Sequence, residues 1–336
     1  MKLLVIRFSS IGDLILTTPV VRCLKAAYPN AEIHFLIKKQ FQQVMAANPY
    51  IDRHHIFDGD LKATIRALKQ ENFNLVIDLQ KNRRSRKIRK ALGKAWYSFP
   101  KLNIRKWMFV RLKINLMPDK SIVDRYFEAV KALKVYNDGK GLDCFMPGNQ
   151  KTKVEDIPMG HGAGYVACVI GGSFFTKKFP VEKWQVFCRQ CPYPVVLLGG
   201  PDDRPAGEAI TQASPRNVYN ACGKFSLAES ADLVRRSRVV VSNDTGLMHI
   251  AAAFQKPIIS LWGNTSPAMG MFPYYGQNNL KSHPSPLSVI IDNKKLSCHP
   301  CSKLGYAQCP KGHFKCMTDL DVTAMVSAVQ KFWKKT

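Results

Sequence analysis

The segment that decides the fold covers residues 239–253, which are Val-Val-Val-Ser-Asn-Asp-Thr-Gly-Leu-Met-His-Ile-Ala-Ala-Ala. A run of β-branched residues passes through a short polar stretch into an alanine-rich one, which predicts a buried strand, a tight turn and a helix. Free amides and the positive dipole end at the start of such a helix favour a bound diphosphate. The alternative is that Asp244 and Thr245 are plain helix caps and His249 is a core histidine.

The same alternation of strand and helix continues on both sides of this segment. Short apolar runs predict further buried strands at residues 3–6, 32–37, 74–78, 165–170, 195–198 and 257–262. Strands separated by helical patterns are typical of a parallel sheet in an α/β protein. We therefore expect doubly wound, Rossmann-like architecture in both halves of the chain.

The stretch from residue 137 to residue 164 is rich in Gly, Pro and polar residues, which predicts an interdomain linker. The length of 336 residues also suits two domains. We place the first domain at residues 1–150 and the second at 151–318. A final helix in residues 319–336 is expected to cross back to the first domain.

Composition indicates an anionic partner. The chain has 50 Lys and Arg against 24 Asp and Glu, a formal net charge of +26. This excess favours nucleic acid, a phospholipid surface or a phosphorylated substrate. Ten cysteines, in a chain whose first residues do not resemble a signal peptide, favour free thiols or a metal site over disulfides, and hence a cytoplasmic protein.

Two further loops follow predicted strands. Residues 7–13, Arg-Phe-Ser-Ser-Ile-Gly-Asp, place Asp13 where it would cap a helix or act as a general base at the edge of a cleft. Residues 171–180, Gly-Gly-Ser-Phe-Phe-Thr-Lys-Lys-Phe-Pro, offer close backbone approach, the Thr176 hydroxyl and a lysine charge for a diphosphate. They lack the spacing of a Walker loop, and an ordinary turn with solvated lysines is the alternative.

These three segments, which occur along the chain in the order 7–13, 171–180 and 239–253, resemble glycosyltransferase family nine, the ADP-heptose:lipopolysaccharide heptosyltransferases. The resemblance extends over nearly the whole chain. It implies a GT-B fold, with the acceptor on the first domain and the nucleotide sugar on the second. It also implies inverting, metal-independent transfer without a cofactor, from ADP-heptose or a related nucleotide sugar to a lipopolysaccharide or lipid A-core acceptor.

The resemblance also implies roles for individual residues. Asp13 would be the catalytic base that deprotonates the acceptor hydroxyl. The residues expected to bind the donor are Thr176, Lys177, Asp244, Thr245, Gly246 and His249. The family often has Trp before the proline of the second loop, where this chain has Lys178 and Phe179, so the sequence leaves open which lysine contacts the diphosphate.

Residues 79–118 contain thirteen Lys and Arg and no Asp or Glu, with aromatic residues between them. Such a stretch suits an anionic membrane or a phosphorylated glycolipid, and would also suit nucleic acid. Given the family resemblance, we expect peripheral docking on the inner leaflet of the cytoplasmic membrane and no nucleic-acid partner. The candidate acceptor- or membrane-binding residues are Arg83, Arg84, Arg86 and Lys87.

Four cysteines lie near the end of the chain, at Cys298, Cys301, Cys309 and Cys316. Their order suits a four-thiolate zinc site, although the gap between the second and third is short for a zinc ribbon. Zinc and the basic stretch together define an alternative function, a nucleic-acid-binding protein with salt-sensitive affinity. A closer alternative is a family relative that transfers another sugar from a nucleotide donor to a glycolipid.

Overall fold

A computed structural model describes residues 1–147 and 151–335. Two parallel sheets, one in each half of the chain, confirm the α/β prediction. The boundary expected near residue 150 lies outside the described residues. Among the described helices, none combines the length and the apolar composition that crossing a bilayer requires.

The first half contains a five-stranded sheet in the order β3-β2-β1-β4-β5. Its strands are β1 (Lys2–Ile6), β2 (Glu32–Lys38), β3 (Arg53–Phe57), β4 (Leu75–Asp78) and β5 (Ala95–Ser98). Its helices are α1 (Ile11–Ile15), α2 (Thr18–Ala27), α3 (Gln42–Met45), α4 (Leu61–Gln70), α5 (Arg83–Leu92), α6 (Asn103–Arg111) and α7 (Ile122–Phe127).

The central strand β1 shows why this half folds as a layered sheet. Leu3 and Val5 enter one apolar cluster, whereas Leu4 and Ile6 enter another, and all four are fully buried. Alternate side chains point to opposite faces of a strand, so a strand with four consecutive apolar residues needs cover on both faces.

The second half contains a six-stranded sheet in the order β11-β10-β9-β6-β7-β8. Its strands are β6 (Val166–Val169), β7 (Val195–Leu198), β8 (Val218–Asn220), β9 (Val239–Asn243), β10 (Ile258–Trp262) and β11 (Ser288–Asp292). Its helices are α8 (Val181–Gln190), α9 (Arg204–Gln212), α10 (Leu227–Arg236), α11 (Gly246–Ala253), α12 (Lys315–Thr318) and α13 (Val322–Trp333).

The prediction that the last helix crosses back to the first domain is wrong. Helix α13 packs on α8 and on strands β9 and β10 of the second sheet. Its buried residues Met325, Val329 and Phe332 belong to the same apolar cluster as Trp184 and Phe187 of α8. The apolar face of α13 is therefore already covered within the second domain, which leaves no apolar face to bury against the first.

Candidate active site

A cleft of about 580 Å³ lies between the two domains. One wall is formed by loops that follow β1, β4 and β5, and the other by loops that follow β6, β9 and β10. The carboxyl ends of both parallel sheets thus meet at the cleft, which is where open α/β sheets bind ligands. The cleft is lined by the predicted base and by five of the six residues predicted to bind the donor: Asp13, Lys177, Asp244, Thr245, Gly246 and His249.

Asp13 lies on the first-domain wall and is held by two neighbours. Its Oδ1 is 2.5 Å from Nη2 of Arg7, and its Oδ2 accepts hydrogen bonds from the amide and the hydroxyl of Ser10, at 3.2 and 3.1 Å. Burial acts to raise the pKa of Asp13, but the Arg7 charge and the Ser10 hydrogen bonds outweigh it and hold the pKa below its ordinary value. Asp13 therefore caps α1 and also presents an ionised carboxylate to the cleft.

The two lysines of the second loop have different surroundings. Nζ of Lys177 lies 2.5 Å from Oδ2 of Asp244 on the cleft wall. Nζ of Lys178 lies 2.6 Å from Oδ1 of Asp203, and Lys178 does not line the cleft. The structure thus places Lys177, and not Lys178, on the wall of the cleft.

Helix α11 begins at the cleft. Thr245 is its N-cap residue in an extended conformation, and within the described chain no side chain caps this turn. The Thr245 hydroxyl lies 3.4 Å from the hydroxyl of Ser242 instead. The amides of the first turn, beginning at Gly246, are therefore free of a side-chain cap and can donate to an anion in the cleft.

His249 of the second-domain wall packs against Gly12 of the first-domain wall. Its ring is buried against Gly12, and its Nδ1 has no hydrogen-bond partner among the described residues. Burial lowers the pKa of His249 to about 4, although the charges of Asp244 and Asp13 act in the opposite direction. The imidazole is therefore neutral at pH 7, and it can donate or accept one hydrogen bond without adding charge.

Thr176 differs from the expectation for a donor-binding residue. Its side chain is buried, and its hydroxyl accepts from the Tyr306 amide at 2.8 Å and donates to the Tyr306 carbonyl at 3.1 Å. Thr176 does not line the cleft. The hydroxyl instead holds the cysteine-containing tail against the Lys177 loop, a contact between residues 130 positions apart that local sequence does not reveal.

Sequence reasoning missed several cations that line the cleft, namely Arg7, Lys101, Lys106 and Lys303. Burial, with the Arg125 charge adding to it, lowers the pKa of Lys106 to about 8. Lys101 and Lys106 belong to the acid-free basic stretch, which was the available signal. Lys303 belongs to the tail, where nothing in the sequence marked it.

The four basic residues predicted to bind acceptor or membrane lie on α5, outside the cleft. Arg83, Arg84, Arg86 and Lys87 are all exposed. Arg86 borders a surface pocket of about 520 Å³ beside Trp96. The next basic residue of the helix, Arg89, is instead buried against Asp78 and stacks on Trp96. The exposed face of α5 is therefore strongly positive.

The structure does not bring the four tail cysteines into one coordination sphere. All four are free thiols, and Sγ of Cys298 lies 3.7 Å from Nε2 of His313. Within the described residues, the group of three potential ligands that converges within 4.8 Å is His34, His55 and Glu71, outside the cleft. Glu71 already pairs there with Lys2 and Arg53. Burial and the neighbouring thiols of Cys298, Cys301 and Cys309 raise the pKa of Cys316, so the four cysteines are neighbours and the zinc site stays a prediction.

The chain is similar to known proteins over most of its length. The family model of glycosyltransferase family 9 (heptosyltransferase) matches residues 61–286. Lipopolysaccharide heptosyltransferase 1 of Campylobacter coli is 25% identical over 319 residues, which cover 88% of this chain and 90% of that protein. Lipooligosaccharide heptosyltransferase 2 of Haemophilus influenzae is 26% identical over 300 residues, which cover 80% of this chain and 84% of that protein.

The fold is similar to that of a solved relative. The structure of E. coli ADP-heptose lipopolysaccharide heptosyltransferase II matches with a TM-score of 0.69 at 18% identity, over 100% of this chain and 99% of that one. The family model also spans more than half of the chain and includes the second-domain motifs. These similarities favour the enzyme over the nucleic-acid-binding alternative. The chain belongs to glycosyltransferase family 9, the heptosyltransferase family, and is a glycosyltransferase of GT-B fold.

Proposed function

We propose that the protein transfers a heptose from ADP-heptose to the inner core of lipopolysaccharide, with inversion at the anomeric carbon and without a metal ion or cofactor. The observation that carries this proposal is the position of Asp13 on one wall of the cleft, opposite Lys177 and the start of α11 on the other. The names of the similar proteins, which are lipopolysaccharide and lipooligosaccharide heptosyltransferases, support heptose as the sugar.

The proposed reaction is a single displacement. Asp13 accepts the proton of an acceptor hydroxyl, and the oxygen bonds to the anomeric carbon as the bond from that carbon to ADP breaks. Attack from the side opposite the leaving group inverts the configuration. Because the pKa of Asp13 is held below its ordinary value, the carboxylate is ionised and ready at neutral pH, as a general base must be.

Positive groups of the protein would stabilise the departing diphosphate. Lys177 supplies a full charge, and the uncapped amides that begin at Gly246 supply aligned dipoles. Lys177 pairs with Asp244 in this structure, and its three N–H groups allow it to keep that contact while it binds a phosphate oxygen. Neutral His249 would add one hydrogen bond beside the reacting centre.

The acceptor in this proposal carries a lipid, so the protein would work as a peripheral protein at the inner leaflet of the cytoplasmic membrane. The exposed positive face of α5, with Arg83, Arg84, Arg86 and Lys87, favours an anionic surface of this kind.

The test is acceptor-dependent ADP release by purified protein, with ADP-heptose and core-truncated lipopolysaccharides. Asp13→Asn should lower kcat by about 10²- to 10⁴-fold, the usual contribution of a general base. It should leave donor affinity, measured by calorimetry, nearly unchanged. The anomeric configuration of the product, read by NMR, should be inverted relative to that of the donor. Chelators should not change the rate of ADP release.

Different failures have different meanings. Full turnover by the Asp13→Asn variant would show that Asp13 is not the general base. Turnover only with another sugar nucleotide would favour the relative that transfers a different sugar. A wild-type protein that binds no nucleotide sugar would contradict the proposal as a whole.

A further inference from the structure

Helix α6 is apolar in composition, yet each of its residues stays at least partly exposed. Its nine residues are Asn-Ile-Arg-Lys-Trp-Met-Phe-Val-Arg, of which five are apolar. The side chains of Ile104 and Trp107 are 76% and 56% exposed. Helices of this composition are normally covered by protein, and large exposed apolar surfaces mark contact sites. The side of α6 that carries Ile104 and Trp107 therefore lacks a covering partner within the described chain.

The exposed apolar residues continue past the end of the helix. Leu112, Ile114 and Leu116 are 51%, 46% and 50% exposed. Together with Ile104 and Trp107 they define what we call the α6 surface. Trp107 is the largest member, and an exposed indole of this kind is typical of the boundary between water and lipid.

The charged residues within the sequence stretch that contains the α6 surface, residues 79–118, are all of one sign. Arg105 and Arg111 are exposed on the helix, and the forty residues from 79 to 118 contain no Asp or Glu. Apolar side chains flanked by cations fit an anionic lipid surface, which offers both a hydrocarbon boundary and negative headgroups. A second copy of the chain would fit poorly, because a two-fold interface would place these cations against their own copies.

The same helix also contributes to the cleft. Asn103 and Lys106 of α6 line the cleft, and each precedes a member of the exposed pair Ile104 and Trp107. At the end of the helix, Nζ of Lys113 donates to the carbonyls of Cys298 and Pro300, at 2.9 and 2.8 Å. The α6 segment thus runs along the edge of the cleft from the first domain to the tail of the second.

We propose that the α6 surface inserts into the headgroup region of an anionic bilayer and holds the cleft at the lipid surface. We rely on the proposed function only for the identity of the molecule that the cleft would meet at the lipid surface, a lipid-linked acceptor. Membrane contact is then made chiefly by the α6 surface, and the exposed cations of α5 add long-range attraction.

The test is co-sedimentation of the full-length protein with vesicles, without donor or acceptor. Vesicles of phosphatidylcholine alone are compared with vesicles that also contain phosphatidylglycerol. Wild type should bind the anionic vesicles and lose affinity as salt is raised. The double variant Ile104→Ser/Trp107→Ser should bind at least roughly tenfold more weakly, because two large apolar side chains no longer enter the lipid.

A matched control replaces exposed apolar residues elsewhere. The double variant Tyr136→Ser/Met159→Ser removes side chains that are 68% and 94% exposed, outside the α6 surface and the cleft. It should bind vesicles like wild type. Lipids brominated in their acyl chains should quench the fluorescence of wild type more than that of Trp107→Phe, because the indole at position 107 reaches the lipid.

Three results would overturn the inference. The first is wild-type protein that binds neutral and anionic vesicles equally, or binds neither. The second is equal vesicle binding by wild type and Ile104→Ser/Trp107→Ser. The third is a dimer in sedimentation that this double variant dissociates, which would assign the α6 surface to a second copy. All three concern binding without substrates, so they are distinct from failure of the proposed transferase reaction.

Discussion

Gly12 in the first domain lies directly against the imidazole of His249 in the second. A Cβ atom at position 12 would be 2.6 Å from Cδ2 of His249, closer than such atoms approach. The contact is matched at Gly246, where a Cβ would be 2.8 Å from that of Ile11. Two glycines thus allow α1 and α11 to meet, so the wall with Asp13 and the wall with the α11 amides are held together at the cleft.

Gly12→Ala should separate these two helices. Because the His249 ring is buried and cannot swing away, the added methyl group should cost about 1–3 kcal/mol in the free energy of unfolding. It should also lower kcat at least roughly tenfold, since small displacements of a base are costly. Urea denaturation and ADP release measure the two effects. Gly160→Ala is the control, because a Cβ there meets nothing within 4 Å; equal behaviour of the two variants would disprove the tight contact.

The variants Lys177→Met and Lys178→Met should distinguish the lysine that binds the donor from the lysine that makes only a structural ion pair. Loss of Lys177 removes a charge-assisted contact and leaves Asp244 facing the diphosphate, so kcat/KM for the donor should fall roughly tenfold to a hundredfold. Loss of Lys178 breaks its pair with Asp203, away from the cleft, and should change donor kinetics less than about twofold. The reverse order of effects would assign the diphosphate to Lys178.

Arg7 should control the pH dependence of the reaction through its effect on the pKa of Asp13. The folded pKa of Asp13 lies below its unfolded value, so its favourable contribution to stability is complete above about pH 4 and is lost as pH falls through the folded pKa. In Arg7→Met, the charge that opposes the effect of burial is lost, the pKa of Asp13 rises, and the acid limb of kcat/KM should move to higher pH. Arg7→Lys keeps the charge and should keep the limb near wild type. An unmoved limb in Arg7→Met would show that another group controls it.

Thr176→Val should loosen the tail without removing any group from the cleft wall. The variant leaves the Tyr306 amide without its acceptor, at a cost of about 1–3 kcal/mol, while the Tyr306 carbonyl loses one donor and keeps the backbone amide of Thr176. Hydrogen exchange should become faster in residues 298–309, and Thr176→Ser, which keeps the hydroxyl, should resemble wild type. Unchanged exchange in Thr176→Val would mean that other contacts, such as those of Lys113, hold the tail alone.

Much of the fold and part of the site follow from local sequence. The strands β1, β7 and β9 lie where apolar runs predicted them, because burial on both faces requires consecutive apolar residues. Asp13, Lys177 and the Asp244 to His249 segment each follow a strand, and the carboxyl ends of parallel strands share one edge. Local pattern and this geometric rule were sufficient to bring these residues to the cleft.

Other features were decided only by contacts between distant parts of the chain. The Thr176 hydroxyl turns to Tyr306, Gly12 packs on His249, and α13 stays on its own domain, and none of these contacts has a local signal. The exposure of Ile104 and Trp107 is of the same kind, because the sequence marked residues 79–118 only as a basic stretch with aromatic residues, and the folded chain shows which side chains of α6 stay exposed. Sequence periodicity encodes which face of an element is apolar, whereas the surface that meets that face depends on how all the elements pack together.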